Sequence, residues 1–243
     1  MCLHWINFDI FELMTNKGKF IVIEGTDGSG KTTQLKLLAN FLKAKSVSHQ
    51  ILDFPQYDSF WGKIIGKFLR GEFGELDEVS PYLIQPFYML DQASKASDIE
   101  KWKSTGDIIL ANRYITSSMA HQTSKLPKGE RETFLKWMTE AGYNRLKVAK
   151  EDLVIVLYIP VKTSMELAQN KNSKARKSYA LLGREIAEED YAHQKKSGDM
   201  YLELSRKYSH WRLINCINEK EELKSIEEIH DEIVKVLADE SIV

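Results

Sequence analysis

The chain has 243 residues, 43% of them hydrophobic and 28% charged, which are the proportions of a globular protein rather than a disordered or fibrous one. Thirteen glycines and five prolines fall well under the usual share, so collagen-like and linker-dominated readings are out and long helices are favoured. Lys+Arg 34 against Asp+Glu 35 leaves a net charge of −1, so no global field recruits nucleic acid or an anionic membrane, and any anion site must be local.

Residues 1–16, MCLHWINFDIFELMTN, lack a basic leading region, and Asp9 and Glu12 interrupt the apolar run, so an N-terminal extension is expected rather than a signal peptide. Met14 offers an alternative start. Cys2 and Cys216 cannot build a disulfide framework, which fits a reducing cytoplasm. No run reaches the roughly 18 apolar residues a membrane span needs. No repeat or Pro/Gly-rich linker divides residues 17–243, so one domain is expected there.

Short apolar runs at Phe20 to Ile23, Ile51 to Phe54, Ile108 to Ala111, Leu153 to Ile159 and Leu213 to Cys216 read as strands. Several are apolar on consecutive residues, as strands covered on both faces are. Helix-period stripes lie between and after them: Leu35, Leu38 and Leu42; Phe134, Met138 and Ala141; and Ile226, Ile229, Ile233, Val236 and Leu237. This alternation predicts an α/β fold with a parallel sheet and a ligand crevice at the carboxyl ends of its strands.

The first strand runs into Gly25-Thr26-Asp27-Gly28-Ser29-Gly30-Lys31-Thr32, which is G-x-x-x-x-G-K-[ST], the phosphate-binding loop. Its glycines let successive backbone N–H groups point at phosphate oxygens, and the helix N-terminus adds its positive end. Lys31 reaches the β- and γ-phosphates of a nucleoside triphosphate, and the Thr32 hydroxyl is a ligand for Mg²⁺. The third strand ends in Asn112 and Arg113, beside the same crevice, where an arginine fork suits a phosphate. Residues 171–184 carry Lys171, Lys174, Arg176, Lys177 and Arg184 with no acid, and Glu185, Glu188, Glu189 and Asp190 follow. With a phosphate loop present, that stretch reads as a lid over about 170–190 bringing cations to the transferring phosphoryl group.

Five segments together make the chain resemble the thymidylate kinases, a group of P-loop nucleoside monophosphate kinases, from about Lys19 to Leu237. They are EGTDGSGKTTQ at 24–34, DFPQYDS at 53–59, FYMLDQ at 87–92, NRYITSSMAHQ at 112–122 and KSIEEIH at 224–230. The resemblance implies a three-layer P-loop kinase fold on a five-stranded parallel sheet. It also implies transfer of a phosphoryl group from ATP with Mg²⁺ to dTMP in dTTP synthesis, and a homodimer. ATP would sit on Gly25, Asp27, Gly28, Ser29, Gly30, Lys31, Thr32 and Thr33. The acceptor would meet Asp27, Phe54, Tyr57, Tyr88, Gln92, Arg113, Ser118 and Gln122, with Tyr88 stacking on thymine. Gly28 stands at a loop position where some relatives carry an arginine, so a lid arginine, Arg176 or Arg184, is expected to act with Lys31 and Arg113.

Three departures stand out. Asn112 replaces a common aspartate, so it would reach the metal only through water. Tyr57 replaces an arginine that binds the acceptor phosphate, leaving Arg113 with help from Arg70 or Lys63. Gln92 replaces an arginine that contacts the thymine carbonyl, and a free amide serves thymine or cytosine equally well, so weaker rejection of cytosine nucleotides is expected. Competing readings are a kinase for another pyrimidine monophosphate or a deoxynucleoside, and a low-turnover P-loop switch. A deoxynucleoside acceptor would need a base near the end of the second strand, where Asp53 is the only carboxylate. A monophosphate, whose second pKa is near 6, brings its own nucleophilic oxygen.

Overall fold

The computed structural model describes residues 17–163 and 190–243. The expected extension over 1–16 and most of the expected lid, with Arg176 and Arg184, lie outside the described residues. Five strands, β1 (Phe20–Gly25), β2 (His49–Asp53), β3 (Ile108–Asn112), β4 (Leu153–Tyr158) and β5 (Trp211–Asn215), form one sheet in the order β2-β3-β1-β4-β5. Every neighbouring pair is parallel. Among the described residues no helix is long and apolar enough to cross a membrane.

The helices are α1 (Lys31–Ala44), α2 (Phe60–Leu69), α3 (Pro81–Ala93), α4 (Ala96–Ser104), α5 (Ile115–His121), α6 (Lys128–Thr139), α7 (Tyr191–Lys207) and α8 (Ile226–Asp239). A π-helical turn, Glu140–Arg145, extends α6. Local chemistry sets several starts. Ser59 accepts from the Gly62 N–H to cap α2, Asp190 caps α7 through His193, and Ser225 with Glu228 closes a capping box on α8.

Alternation along β1 splits its side chains between two apolar layers. Phe20 and Val22 join Ile109, Ala111, Val154, Phe134, Tyr201 and Leu204 on one face. Ile21 and Ile23 join Leu110, Ile155, Leu35, Leu38 and Leu42 on the other, with Ile229, Ile233 and Leu237 of α8. This is the three-layer arrangement the strand pattern predicts. All five strands lie where the apolar runs place them, and the boundaries drift most at β2 and β5. Those are the edge strands, where polar residues at the start, His49 and Gln50 in β2 and Arg212 in β5, dilute the hydropathy signal. The sheet's connections diverge at β1, which lies between β3 and β4, so the crevice opens at the end of β1 where the phosphate loop begins.

Candidate active site

The loop after β1 takes a conformation that its sequence dictates. Gly25, Gly28 and Gly30 have φ of 139°, 82° and 91°, a region L side chains avoid. A Cβ on Gly25 would also lie 2.4 Å from the Leu157 carbonyl oxygen. Lys31 Nζ donates to the Gly25 and Thr26 carbonyls at 3.0 and 2.8 Å, so its ammonium is folded into the loop. The Thr26 and Ser29 hydroxyls are buried and lack partners among the described residues. A loop of inward-turned backbone with a cation and two unsatisfied hydroxyls is built to receive an anion.

Beside the loop, Asp27 and Arg113 form an ion pair through Asp27 Oδ1 and Arg113 Nη2. Arg113 adopts a left-handed conformation, φ 63°, at the end of β3, and its N–H donates to the Ile23 carbonyl at 3.1 Å. Gln194 of α7 donates to Asp27 Oδ2 at 2.8 Å. Burial pushes the Asp27 carboxyl upward, but Arg113, Lys31 and Gln194 outweigh it and hold Asp27 well below the usual carboxylate range. Burial likewise opposes the Arg113 charge, while Asp27, Tyr201 and Glu24 keep the guanidinium firmly protonated.

The second guanidinium nitrogen of Arg113, Nη1, donates to Ser117 Oγ and His121 Nε2, each at 3.3 Å. Accepting there fixes the proton of neutral His121 on Nδ1, which donates to His193 Nε2 of α7 at 3.3 Å. Burial, then the Arg113 charge, drives the His121 pKa well below its ordinary value, and burial lowers that of His193.

Behind this pair, fully buried Glu24 accepts four hydrogen bonds. Its Oε1 takes the Tyr114 N–H at 3.1 Å and Thr116 Oγ1 at 2.6 Å, and its Oε2 takes Ser117 Oγ at 2.6 Å and the Tyr201 hydroxyl at 2.7 Å. One carboxylate therefore ties the end of β1 to the start of α5 and to α7. Sequence reading missed the roles of Glu24, His193, Gln194 and Tyr201. The last three stand on α7, which carries no motif, and only Glu24, next to the loop glycine, had a signal available.

Thr32 is exposed on the first turn of α1. Asn112 is buried, and its Oδ1 has no partner among the described residues. A hydroxyl and an orphaned amide oxygen are hard oxygen donors, so the residues present fit Mg²⁺ held largely through water.

The remaining expected residues distribute unevenly. Tyr57 lies close enough to Arg113 to act on its charge and flanks Gly66 together with Arg70. The Arg70 fork itself is spent on Glu72, at 2.9 and 2.6 Å. Phe54 is buried in the core against Tyr114, 5.2 Å between ring centroids. Tyr88 is half-buried on α3 beside the Phe68, Leu76 and Ile84 cluster. Ser118 and Gln122 are buried one turn apart along α5 and its C-cap. In the amide orientation its surroundings satisfy, Gln92 accepts from the Ile115 N–H at 3.2 Å and donates to the Tyr88 carbonyl at 3.3 Å. Neighbouring Asp91 accepts from Gln56 N at 2.9 Å and Ser59 Oγ at 2.7 Å, which binds the 54–59 loop to α3.

Comparison with known proteins agrees with this geometry. The family model described as thymidylate kinase matches residues 23–233. A probable thymidylate kinase of Thermococcus onnurineus is 33% identical over 226 residues, covering 91% of this chain and 98% of that protein. Thymidylate kinase of Mycobacterium tuberculosis is 28% identical over 190 residues, covering 76% of this chain and 85% of that one. A solved structure of thymidylate kinase from Candida albicans shares the fold with a TM-score of 0.71 at 20% identity, covering 93% of each chain. With a family match across most of its length and a phosphate loop, an arginine-ended third strand and a five-stranded parallel sheet in place, the chain belongs to the thymidylate kinase family, which phosphorylates dTMP.

Proposed function

We propose that the crevice at the ends of β1 and β3 carries out this transfer with the following division of labour. The observation that supports it most is the Asp27–Arg113 pair, which joins the phosphate loop to the end of the neighbouring strand. ATP lies on the loop from Gly25 to Thr33, where the N–H groups at the start of α1 and the Thr26 and Ser29 hydroxyls meet its phosphates. Lys31 exchanges its loop carbonyls for phosphate oxygens. Thr32, and Asn112 through water, would hold Mg²⁺, which would supply charge neutralisation on those oxygens.

Arg113 binds the acceptor phosphate. Asp27 holds the guanidinium in place and faces the acceptor sugar. Because a phosphate monoester is mostly dianionic at pH 7, its oxygen attacks without a general base, and the chain's task is positioning and charge neutralisation. Tyr57, Tyr88, Gln92, Ser118 and Gln122 surround the nucleoside, with Phe54 supporting them from the core. Arg176 or Arg184 completes the cation set. The family resemblance supports a homodimer and a cytoplasmic setting, and the chain pattern supports one kinase domain over 17–243 preceded by an extension.

A coupled assay of ADP release with ATP and Mg²⁺ over dTMP, dUMP, dCMP, UMP, CMP and thymidine tests the reading. Preferred turnover of dTMP is the expected result. Turnover of thymidine in place of dTMP would overturn it, because Arg113 would then have no phosphate to bind.

A further inference from the structure

Asn112 and Asp53 end adjacent strands and are register partners. Strand alternation puts both side chains on the α1 side of the sheet. Ile108 and Leu110, four and two residues before Asn112, pack in the layer of Leu35, Leu38 and Leu42, whereas Leu52 and Ala111 belong to the opposite layer. The pair therefore lies on the face whose covering helix begins at Lys31 and Thr32.

Asn112 Nδ2 donates to Asp53 Oδ1 at 2.9 Å. A carboxylate accepts only, so this bond fixes the polarity of the amide and turns Asn112 Oδ1 the other way. That oxygen is buried and without a partner among the described residues, while Asp53 is exposed at the carboxyl end of β2. P-loop enzymes hold Mg²⁺ with the loop Ser/Thr and a strand-end aspartate. Here the residue ending β3 is neutral, and the charge stands one strand over, hydrogen-bonded to it.

We propose that Asp53 supplies the negative charge of the Mg²⁺ site, with Asn112 and Asp53 acting as one composite ligand for the metal's bound waters. This extends the phosphoryl-transfer reading of the loop and rests on it. Mg²⁺ keeps several waters and is bound by few protein groups, so a carboxylate acting through water suffices. The arrangement also accounts for the orphaned Asn112 oxygen, which would take a hydrogen from a metal-bound water while Asp53 orients the amide.

The test uses the full chain with ADP bound and follows Mn²⁺ affinity by electron paramagnetic resonance of the free ion, so no turnover is needed. Asp53→Asn keeps an acceptor for Asn112 Nδ2 and removes the charge. It is expected to weaken Mn²⁺ binding about 10-fold, the scale of outer-shell ligand losses, and to leave ADP affinity in chelator unchanged. The double variant Asp53→Asn/Asn112→Asp returns the charge to β3 and is expected to restore Mn²⁺ affinity. Mn²⁺ affinity within about twofold of wild type in Asp53→Asn would overturn the proposal, as would an equal loss of ADP affinity without metal. If Asp53→Asn does not fold, Asp53→Ser is read the same way. Failure to phosphorylate dTMP with this Mn²⁺ pattern intact would count against the proposed function and leave the composite ligand standing.

Discussion

Asp27 and Arg113 are 86 positions apart in the chain and form an ion pair at the junction of the phosphate loop with β3. Neither residue is free to move alone, since Gln194 holds the other oxygen of Asp27 and Ser117 and His121 hold the other nitrogen of Arg113. A guanidinium with one fork on a carboxylate and its orientation fixed from behind is positioned for a phosphate before the substrate arrives.

Arg113→Lys keeps the charge and loses the planar fork. We expect kcat/KM for dTMP to fall about 100-fold or more, the scale of losing one preorganised charge-stabilising group, while ATP affinity stays unchanged. Steady-state kinetics with separate nucleotide-binding titrations check this, and a loss shared equally by ATP binding would place Arg113 on the donor side instead.

Lys31→Met removes the ammonium that donates to the Gly25 and Thr26 carbonyls. The expected outcome is a fall in kcat of about 100- to 1,000-fold at saturating dTMP. Retained turnover would mean that the ammonium stays on the loop carbonyls during the reaction.

Gln92 bears on base selection. As an unattached amide it would serve thymine or cytosine alike, but its oxygen is taken by the Ile115 N–H and one amide hydrogen by the Tyr88 carbonyl. Turning it over to accept from a cytosine amino group breaks both bonds, each worth about 1 kcal/mol. We therefore expect dTMP to be favoured over dCMP by at least about 10-fold in kcat/KM. Equal use of the two nucleotides would show that the amide turns freely.

His121 and His193 predict a pH dependence of stability. Both have pKa values lowered in the folded state, chiefly by burial. Below the unfolded value of about 6.5 the unfolded chain takes up protons that the folded one refuses, so stability falls as pH drops. Each histidine contributes at most about 1.4 kcal/mol per pH unit. The Asp27 carboxyl, shifted downward, adds its loss only at much lower pH, below its unfolded value. Urea denaturation at pH 7.5 and 5.5 is expected to show the loss in wild type and a smaller one in His193→Gln.

Gly62 sits where α2 meets the 54–59 loop, and a Cβ there would lie 1.9 Å from the Gln56 carbonyl oxygen. That obstacle is backbone, so Gly62→Ala must displace the loop from α2. A loss of about 1–3 kcal/mol is expected, read as a lower Tm, together with a raised KM for dTMP because Tyr57 moves with the loop.

Much of this protein was legible in its residues. The five strands follow from consecutive apolar runs, which only a sheet covered on both faces accommodates, and the phosphate loop follows from glycine spacing whose backbone demands are local. Asn112 and Arg113 announced a polar strand end, and the apolar stripe of α8 is real on its inner face at Ile229, Ile233 and Leu237. The Gln92 reading changed because the amide oxygen accepts from Ile115 at the start of α5, two helices along the chain, and no spacing rule records that bond. The same holds for the contact of Asp53 with Asn112, 59 positions apart, and for Gln194 on Asp27, 167 positions apart. Periodicity and motif chemistry are short-range properties that a chain carries with it, and they determined fold class and nucleotide loop. Which charges meet across the crevice depends on strand order and on where α7 packs, and only the tertiary structure decided that.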